Sequence, residues 1–304
     1  MKIAIAGGSG FIGTALTEEL LKEKHEICIL TRNPDKYVSH EQVRYVQWLS
    51  NGASPEEELE GIDVFINLAG ESLNSGRWTA ERKRRIVESR IQSSKEMTRI
   101  LSQLLKKPET VINASAIGYY GNSEVITYTE DTRSEGDDFL ANTVKIWEKE
   151  AMKAGSYTSR LVLTRFGVIL GRKDGALPSI VLPYKLFAGG RIGSGRQWVS
   201  WIHIQDVTQA IIFCMKHKEI RGPVNFTAPH TKQMNDFGQS VGAVLHKPHW
   251  FPVPAFLLKR LLGEMSVLVL EGQKVLPEKL LNHQYPFIYP DLAPALKDLL
   301  TDRR

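Results

Sequence analysis

Cysteine is scarce in this chain: 304 residues contain only Cys28 and Cys214. Two cysteines cannot staple a small secreted domain, and no neighbouring ligand spacing turns them into a zinc site. Both fall in apolar stretches and are expected as small buried residues. No apolar run approaches the roughly 18 residues of a membrane-spanning helix. The N-terminus runs straight into an apolar strand, without the charged-then-apolar pattern of a secretory leader. Internal repeats and low-complexity tracts are also missing. These absences lead us to expect a soluble cytoplasmic protein with no metal and no membrane partner.

Charge of one sign is lacking as well. Lysine and arginine number 39 against 34 acidic residues, a net charge of +5, and the basic residues are dispersed. The densest run, Arg82-Lys83-Arg84-Arg85, lies on a predicted helix beside Glu81 and Glu88, so a solvated helix face is expected and nucleic acid is not expected as a partner.

What is present begins at residue 3. An apolar strand, Ile3 to Ala6, leads into Gly7-x-x-Gly10-x-x-Gly13 and then an amphipathic helix over Thr14 to Lys22. In that order the glycines make a tight turn: Gly7 and Gly10 admit a pyrophosphate close to the backbone, and Gly13 lets the helix pack on the sheet. The unpaired N–H groups of the helix N-terminus face the phosphates. Ser9, Phe11 and Ile12 fill out this expected cofactor cradle.

The second strand, Glu26 to Leu30, bears on which dinucleotide binds. NAD-binding sites place an acidic residue about 20 residues past the glycines, on the ribose 2′-hydroxyl, whereas an arginine there accommodates a 2′-phosphate. Here the strand exits through Thr31 and Arg32. A guanidinium pairs with phosphate oxygens where a carboxylate would repel them, so NADP(H) is the expected cofactor.

The chain then alternates. Strands are predicted at Val43 to Trp48, Ile62 to Gly70, Val111 to Ser115 and Arg160 to Phe166. A long helix capped by Thr79 runs to Leu105, its inner face including Ile86, Ile91, Met97 and Leu105. A second helix spans Asp138 to Ala154. Leu68, Ala69 and Gly70 end the fourth strand in small residues that leave room for the cofactor. Such alternation predicts an α/β fold, a Rossmann-type doubly wound parallel sheet. Beyond residue 172 glycine, proline and aromatics increase. We expect residues 1–171, with segments returning to about 250, to form the NADP-binding domain. Residues 172–304 are expected to form a smaller, interwoven substrate lobe and C-terminal cap, with helices at Ala255 to Leu262 and Leu292 to Leu300.

The glycine turn, Asn67-Leu68-Ala69-Gly70, Ser115 with Tyr120-Gly121, Arg165, and Trp201-Ile202-His203-x-x-Asp206 together resemble the extended short-chain dehydrogenase/reductase superfamily of nucleotide-sugar epimerases and dehydratases. Within it, Gly76-Arg77-Trp78-Thr79, Glu88-Ser89-Arg90, Ser115 to Gly121 and Gly272 to Pro277 are similar to the atypical "epimerase family", cell-division-inhibitor-like group, over essentially the whole chain. The resemblance implies NADP(H) binding. It also implies catalysis by a tyrosine and a lysine four residues apart on one helix, with a serine on the preceding strand. There the ammonium lowers the phenol pKa from about 10 so that it can move the substrate proton.

This chain departs from that pattern. Lys145 requires a tyrosine at 141, and the residue is Ala141. Ser115 remains as a candidate for orienting substrate, and Tyr119 or Tyr120 as the proton donor from another direction. Lys145 is a candidate ribose contact. His203 is expected to organise structure rather than act as a base. Arg77, Arg90, Arg191 and Arg196 could converge on an anionic substrate, with Arg77 and Arg196 favoured by their loops. Two readings stay open. One is an NADP(H)-dependent oxidoreductase or epimerase-like enzyme acting on a hydroxyl or carbonyl substrate, nucleotide-linked compounds included, as monomer or homodimer. The other is a noncatalytic NADP(H)-binding regulatory protein that has lost the tyrosine.

Overall fold

Ile3, Ala4, Ile5 and Ala6 are all fully buried, as a strand covered on both faces requires. In the computed structural model, which describes residues 1–133 and 136–301, this strand lies inside a seven-stranded sheet, next to its central strand. The last three residues of the expected C-terminal lobe, 302–304, lie outside the described residues. The spatial order is Val43–Gln47, Glu26–Thr31, Lys2–Ala6, Val64–Asn67, Thr110–Ala116, Arg160–Phe166, Gly222–Phe226, all parallel. The order reverses direction between Lys2–Ala6 and Val64–Asn67. At such a switch point the connections leave to opposite faces and open a crevice at the strands' carboxyl ends.

Side chains alternate between two cores because a strand repeats every two residues. Ile3, Ile5, Ile27, Ile29 and Ile66 pack with Leu16 and Leu20 of the helix Phe11–Lys22 and with Val207 and Ile211 of the helix Ile204–Lys216. Ala4, Ala6, Cys28, Leu30 and Phe65 face Met97, Ile100 and Leu101 of the helix Ala80–Gln103 on the other side. The helix Phe139–Ala151 packs beside that last helix. A smaller C-terminal region has its own core, in which Leu177, Val181, Tyr184, Phe237, Val241, Leu292, Leu296 and Leu299 meet around Trp201.

Several local expectations need correction. The fourth strand is only Val64–Asn67, so Leu68, Ala69 and Gly70 have already left the sheet. Leu105 is exposed rather than on the inner face of its helix, which ends at Gln103. There the Glu60 carboxylate captures the N–H groups of Leu105 and Lys106, at 2.9 and 2.8 Å, and turns the chain outward. The helix expected to Ala154 is α-helical only over Phe139–Ala151 and then tightens into a 3₁₀ helix, Met152–Tyr157. Arg82 is not a solvated charge: it is buried, ion-paired with Glu71, and it donates to the Ser72 carbonyl at 2.6 Å and to Ser75 Oγ at 2.5 Å. It thereby holds the loop that follows Gly70.

The Trp201-Ile202-His203-x-x-Asp206 segment joins the C-terminal region to the sheet domain. His203 is buried, caps the helix Ile204–Lys216 by accepting from Gln205 N–H, and pairs with Asp298 at 3.4 Å. Buried Asp206 accepts the backbone N–H groups of Ile288 and Tyr289, at 2.8 and 2.9 Å, and the Tyr285 hydroxyl at 3.3 Å. Burial pushes its carboxyl upward, and these three donors pull the other way.

Candidate functional site

At the carboxyl edge of the sheet, Ala6 lies opposite Leu30 on one side and Asn67 on the other. The glycine turn, the Thr31-Arg32 exit and Leu68-Ala69-Gly70 therefore leave the sheet at one level. The three glycines of the turn do different jobs. Gly7 has φ +78°, and a Cβ on it would fall 2.8 Å from the Leu68 carbonyl carbon. Gly13 lets the helix seat on the turn, since a Cβ there would fall 2.3 Å from the Gly7 oxygen. Only Gly10 faces outward: its φ is ordinary, and an added Cβ would meet only the Gly7 oxygen, at 3.3 Å.

Gly10 is also the N-cap of the helix Phe11–Lys22. It provides no side-chain cap, and the first turn carries no acidic residue. The N–H groups of Phe11, Ile12 and Gly13 are thus offered to an anion with no carboxylate competing for the place. Arg32 is exposed, and among the described residues no carboxylate is in ion-pair contact with it. The cradle fits a pyrophosphate, and the exposed guanidinium one strand away fits an additional phosphate. Asn67 shapes the opposite wall: it is buried, donates to Asn113 Oδ1 at 2.7 Å and accepts the Ala69 N–H at 3.2 Å.

Further along the same edge, Ser115 pairs in register with Arg165 on the neighbouring strand. Its hydroxyl donates to Glu148 Oε1 at 2.5 Å. Arg165 grips the same carboxylate with two bonds of 2.8 Å and donates to the Tyr120 hydroxyl at 2.9 Å. Tyr120 in turn donates to Asn225 Oδ1 at 2.8 Å. All five side chains are buried. The expected open roles of Ser115 and Tyr120 are therefore corrected in one respect: both hydroxyls give their protons to partners within the protein, and neither opens onto a cleft. Burial further pushes the Tyr120 phenol upward, against the pull of Arg165. Tyr119 is half-buried, with the Arg165 guanidinium 3.5 Å from its ring centre.

The position of the missing tyrosine is filled. Ala141 is fully buried, and a Cβ placed on Gly136 would lie 2.8 Å from Ala141 Cβ and 2.5 Å from Gly121 Cα. Two glycines and an alanine close this corner, so a phenol at 141 would have no space. Lys145 is half-buried on the same helix, one turn before Glu148. Sequence reasoning missed Glu148, since an acidic residue on a helix is usually solvated.

The arginines do not converge. Arg77 donates to the Leu261 carbonyl at 2.8 Å, and Arg196 pairs with Glu124 at 3.2 Å. Arg90 is the one at the sheet edge: it packs against Gly70, donates to the Glu71 and Ile86 carbonyls at 3.1 and 2.9 Å, and sits over the Trp147 ring. Burial draws its pKa down to about 10, which leaves it charged at neutral pH. Arg77 to Leu261, Lys83 to Glu264, Asn122 to Glu271 and Gln197 to the Val269 carbonyl tie the segment 255–271 to the 77–83 stretch, to Asn122 and to Gln197. Among the described residues, no group of three or more His, Cys, Asp or Glu can hold a metal, and no helix is long and apolar enough to cross a membrane.

Residues 3–226 match the model of the NAD dependent epimerase/dehydratase family, and residues 253–299 match a domain of unknown function, DUF1731. The chain is 47% identical over 304 residues to epimerase family protein YfhF of Bacillus subtilis, covering all of this chain and 99% of that one. Among solved structures it is similar to the human epimerase family protein SDR39U1, solved with NADPH, at 31% identity and a TM-score of 0.87, with 98% and 99% of the two chains covered. It is also similar to a nucleoside-diphosphate sugar epimerase from Corynebacterium glutamicum, at 30% identity and a TM-score of 0.78, covering 99% of this chain and 58% of that one. By its glycine turn, its sheet order and these matches, the chain belongs to the NAD dependent epimerase/dehydratase family.

Proposed function

We propose that this protein is an NADP(H)-dependent oxidoreductase or epimerase-like enzyme acting on a hydroxyl or carbonyl compound. The observation that carries the cofactor is the outward-facing Gly10 at an uncapped, acid-free helix N-terminus, with Arg32 one strand away. The NADPH present in the human relative supports the same reading. Gly7, Ser9, Gly10, Phe11, Ile12 and Gly13 would hold the pyrophosphate, Thr31 and Arg32 the adenosine 2′-phosphate, and Leu68, Ala69 and Gly70 the opposite side. The bound cofactor supplies or accepts hydride. The smaller C-terminal region, with its cap over 255–271, would form the substrate side.

Proton movement falls to Tyr119. It is the half-buried phenol beside the Ser115, Glu148 and Arg165 cluster, whereas Tyr120 is committed to Asn225. Arg90, held by the Glu71 and Ile86 carbonyls beside Gly70, would be the cation nearest the cofactor edge, whereas Arg77 and Arg196 bond Leu261 and Glu124. The second reading, a noncatalytic NADP(H)-binding regulator, draws on the closed corner at Ala141. A panel of carbonyl compounds, nucleotide-linked and simple, assayed by loss of NADPH absorbance, separates the two. Turnover that falls in Tyr119→Phe with NADPH affinity intact supports the enzyme. NADPH binding with no turnover on any substrate supports the regulator.

A further inference from the structure

The helix Ala255–Leu262 has no buried residue although five of its eight residues are large and apolar. Residues one turn apart share a helical face, so Phe256, Leu257, Arg260 and Leu261 form one side, and all four are exposed. Half-buried Ala255, Leu258 and Leu262 form the inward side. A helix that only covered a cleft would turn polar residues outward.

A second exposed apolar group precedes the helix in the chain. Trp250 donates from Nε1 to the Phe187 carbonyl at 2.9 Å, and the Trp250 and Phe251 N–H groups both bond the Gly189 carbonyl. This joins Trp250 and Phe251 to Leu182, Leu186 and Phe187 at the end of the helix Leu177–Lys185. Phe256 is 73% exposed, Leu186 69% and Trp250 67%. Scattered apolar residues are ordinary on a protein surface, but large side chains this exposed, gathered within two neighbouring stretches of the chain, point to a contact surface.

Charge identifies the partner. Residues 175–205 and 237–263 contain none of the chain's 34 acidic residues. Lys185, Lys259 and Arg260 lie exposed among the apolar side chains, and Lys247 Nζ sits 3.7 Å from the centre of the Phe187 ring. Aromatic rings interleaved with lysine and arginine along acid-free stretches fit the headgroup layer of an anionic bilayer: the rings enter the interface and the cations pair with lipid phosphates. A second copy of the same surface would set these cations against one another. We propose that this face docks the protein peripherally on anionic membranes. The lack of a long apolar run bears on spanning a bilayer and is consistent with such surface contact.

The test is co-sedimentation of the full chain with vesicles of phosphatidylcholine alone and of phosphatidylcholine with phosphatidylglycerol, at low and high salt. The proposal predicts binding to the anionic vesicles, release by salt, and a partition coefficient lowered about tenfold or more in Lys259→Glu/Arg260→Glu. Leu186→Ser/Phe256→Ser should weaken binding comparably, and both variants should keep the wild-type melting temperature because they alter exposed side chains. Absence of binding to anionic vesicles, or binding that neither variant alters, would overturn the proposal. So would a dimer in sedimentation equilibrium that Leu186→Ser/Phe256→Ser dissociates while vesicles do not bind, since the face would then belong to a second copy.

Discussion

Glu148 accepts the Ser115 hydroxyl and two bonds from Arg165 on the same carboxylate, tying the helix Phe139–Ala151 to two sheet strands. Removing one partner of a buried ion pair leaves an uncompensated charge and costs about 3–5 kcal/mol, whereas replacing both with apolar residues is often neutral. Glu148→Ala should therefore lose roughly that much in urea unfolding, and Glu148→Leu/Arg165→Met should recover most of it. A loss below about 1 kcal/mol in the single variant would show that the pair does not hold the corner.

Restoring the superfamily's tyrosine should not restore its chemistry. Ala141→Tyr pushes a ring into the space held by Gly121 and Gly136. Overpacking of this kind costs about 1–3 kcal/mol. Thermal unfolding should move to lower temperature with no gain in NADPH-linked turnover. Increased turnover at undiminished stability would contradict the packing account.

The glycines of the turn separate folding from binding. Gly10→Ala is compatible with its backbone angles and faces the proposed pyrophosphate, so it should weaken NADPH binding about tenfold or more with little change in melting temperature. Gly13→Ala should lower the melting temperature itself, because its Cβ would overlap the Gly7 oxygen. Equal behaviour of the two variants would refute this division.

Half-buried Glu130 accepts the N–H groups of Asn225 at 2.9 Å and Lys279 at 3.3 Å, and desolvation raises its pKa against those donors. A carboxyl raised in the folded state binds its proton there more tightly than in the unfolded chain. Its contribution is thus most favourable below the ordinary value near about 4.3 and is lost as pH rises through the raised value. Unfolding free energies at pH 4 to 8 should show the wild type losing ground to Glu130→Gln as pH rises. A constant difference, or the opposite slope, would mean that Glu130 is not raised.

The sheet was legible because its strands are buried on both faces and so read as continuous apolar runs bounded by turn residues. The glycine turn was legible because a glycine that must lack a Cβ leaves a mark in the sequence. The helices Ala255–Leu262 and Leu292–Leu300 were read at their observed ends. Buried charges were not legible. Arg82 and Glu148 look like ordinary surface residues until the fold brings Glu71 and Arg165 to them. Leu105 was misread for the same reason, since Glu60 lies far from it in the chain and decides where that helix ends.

The central claim is NADP(H) specificity through Arg32. It is tested most directly by titrating the protein with NADPH and NADH, following nicotinamide emission and tryptophan quenching, and repeating both titrations on Arg32→Asp. A charge-assisted contact to the 2′-phosphate is worth about 1.5–3 kcal/mol. NADPH should therefore bind about ten- to a hundredfold more tightly than NADH, and Arg32→Asp should abolish the difference. Equal affinities in the wild type, or a preference for NADPH that survives the substitution, would contradict the account.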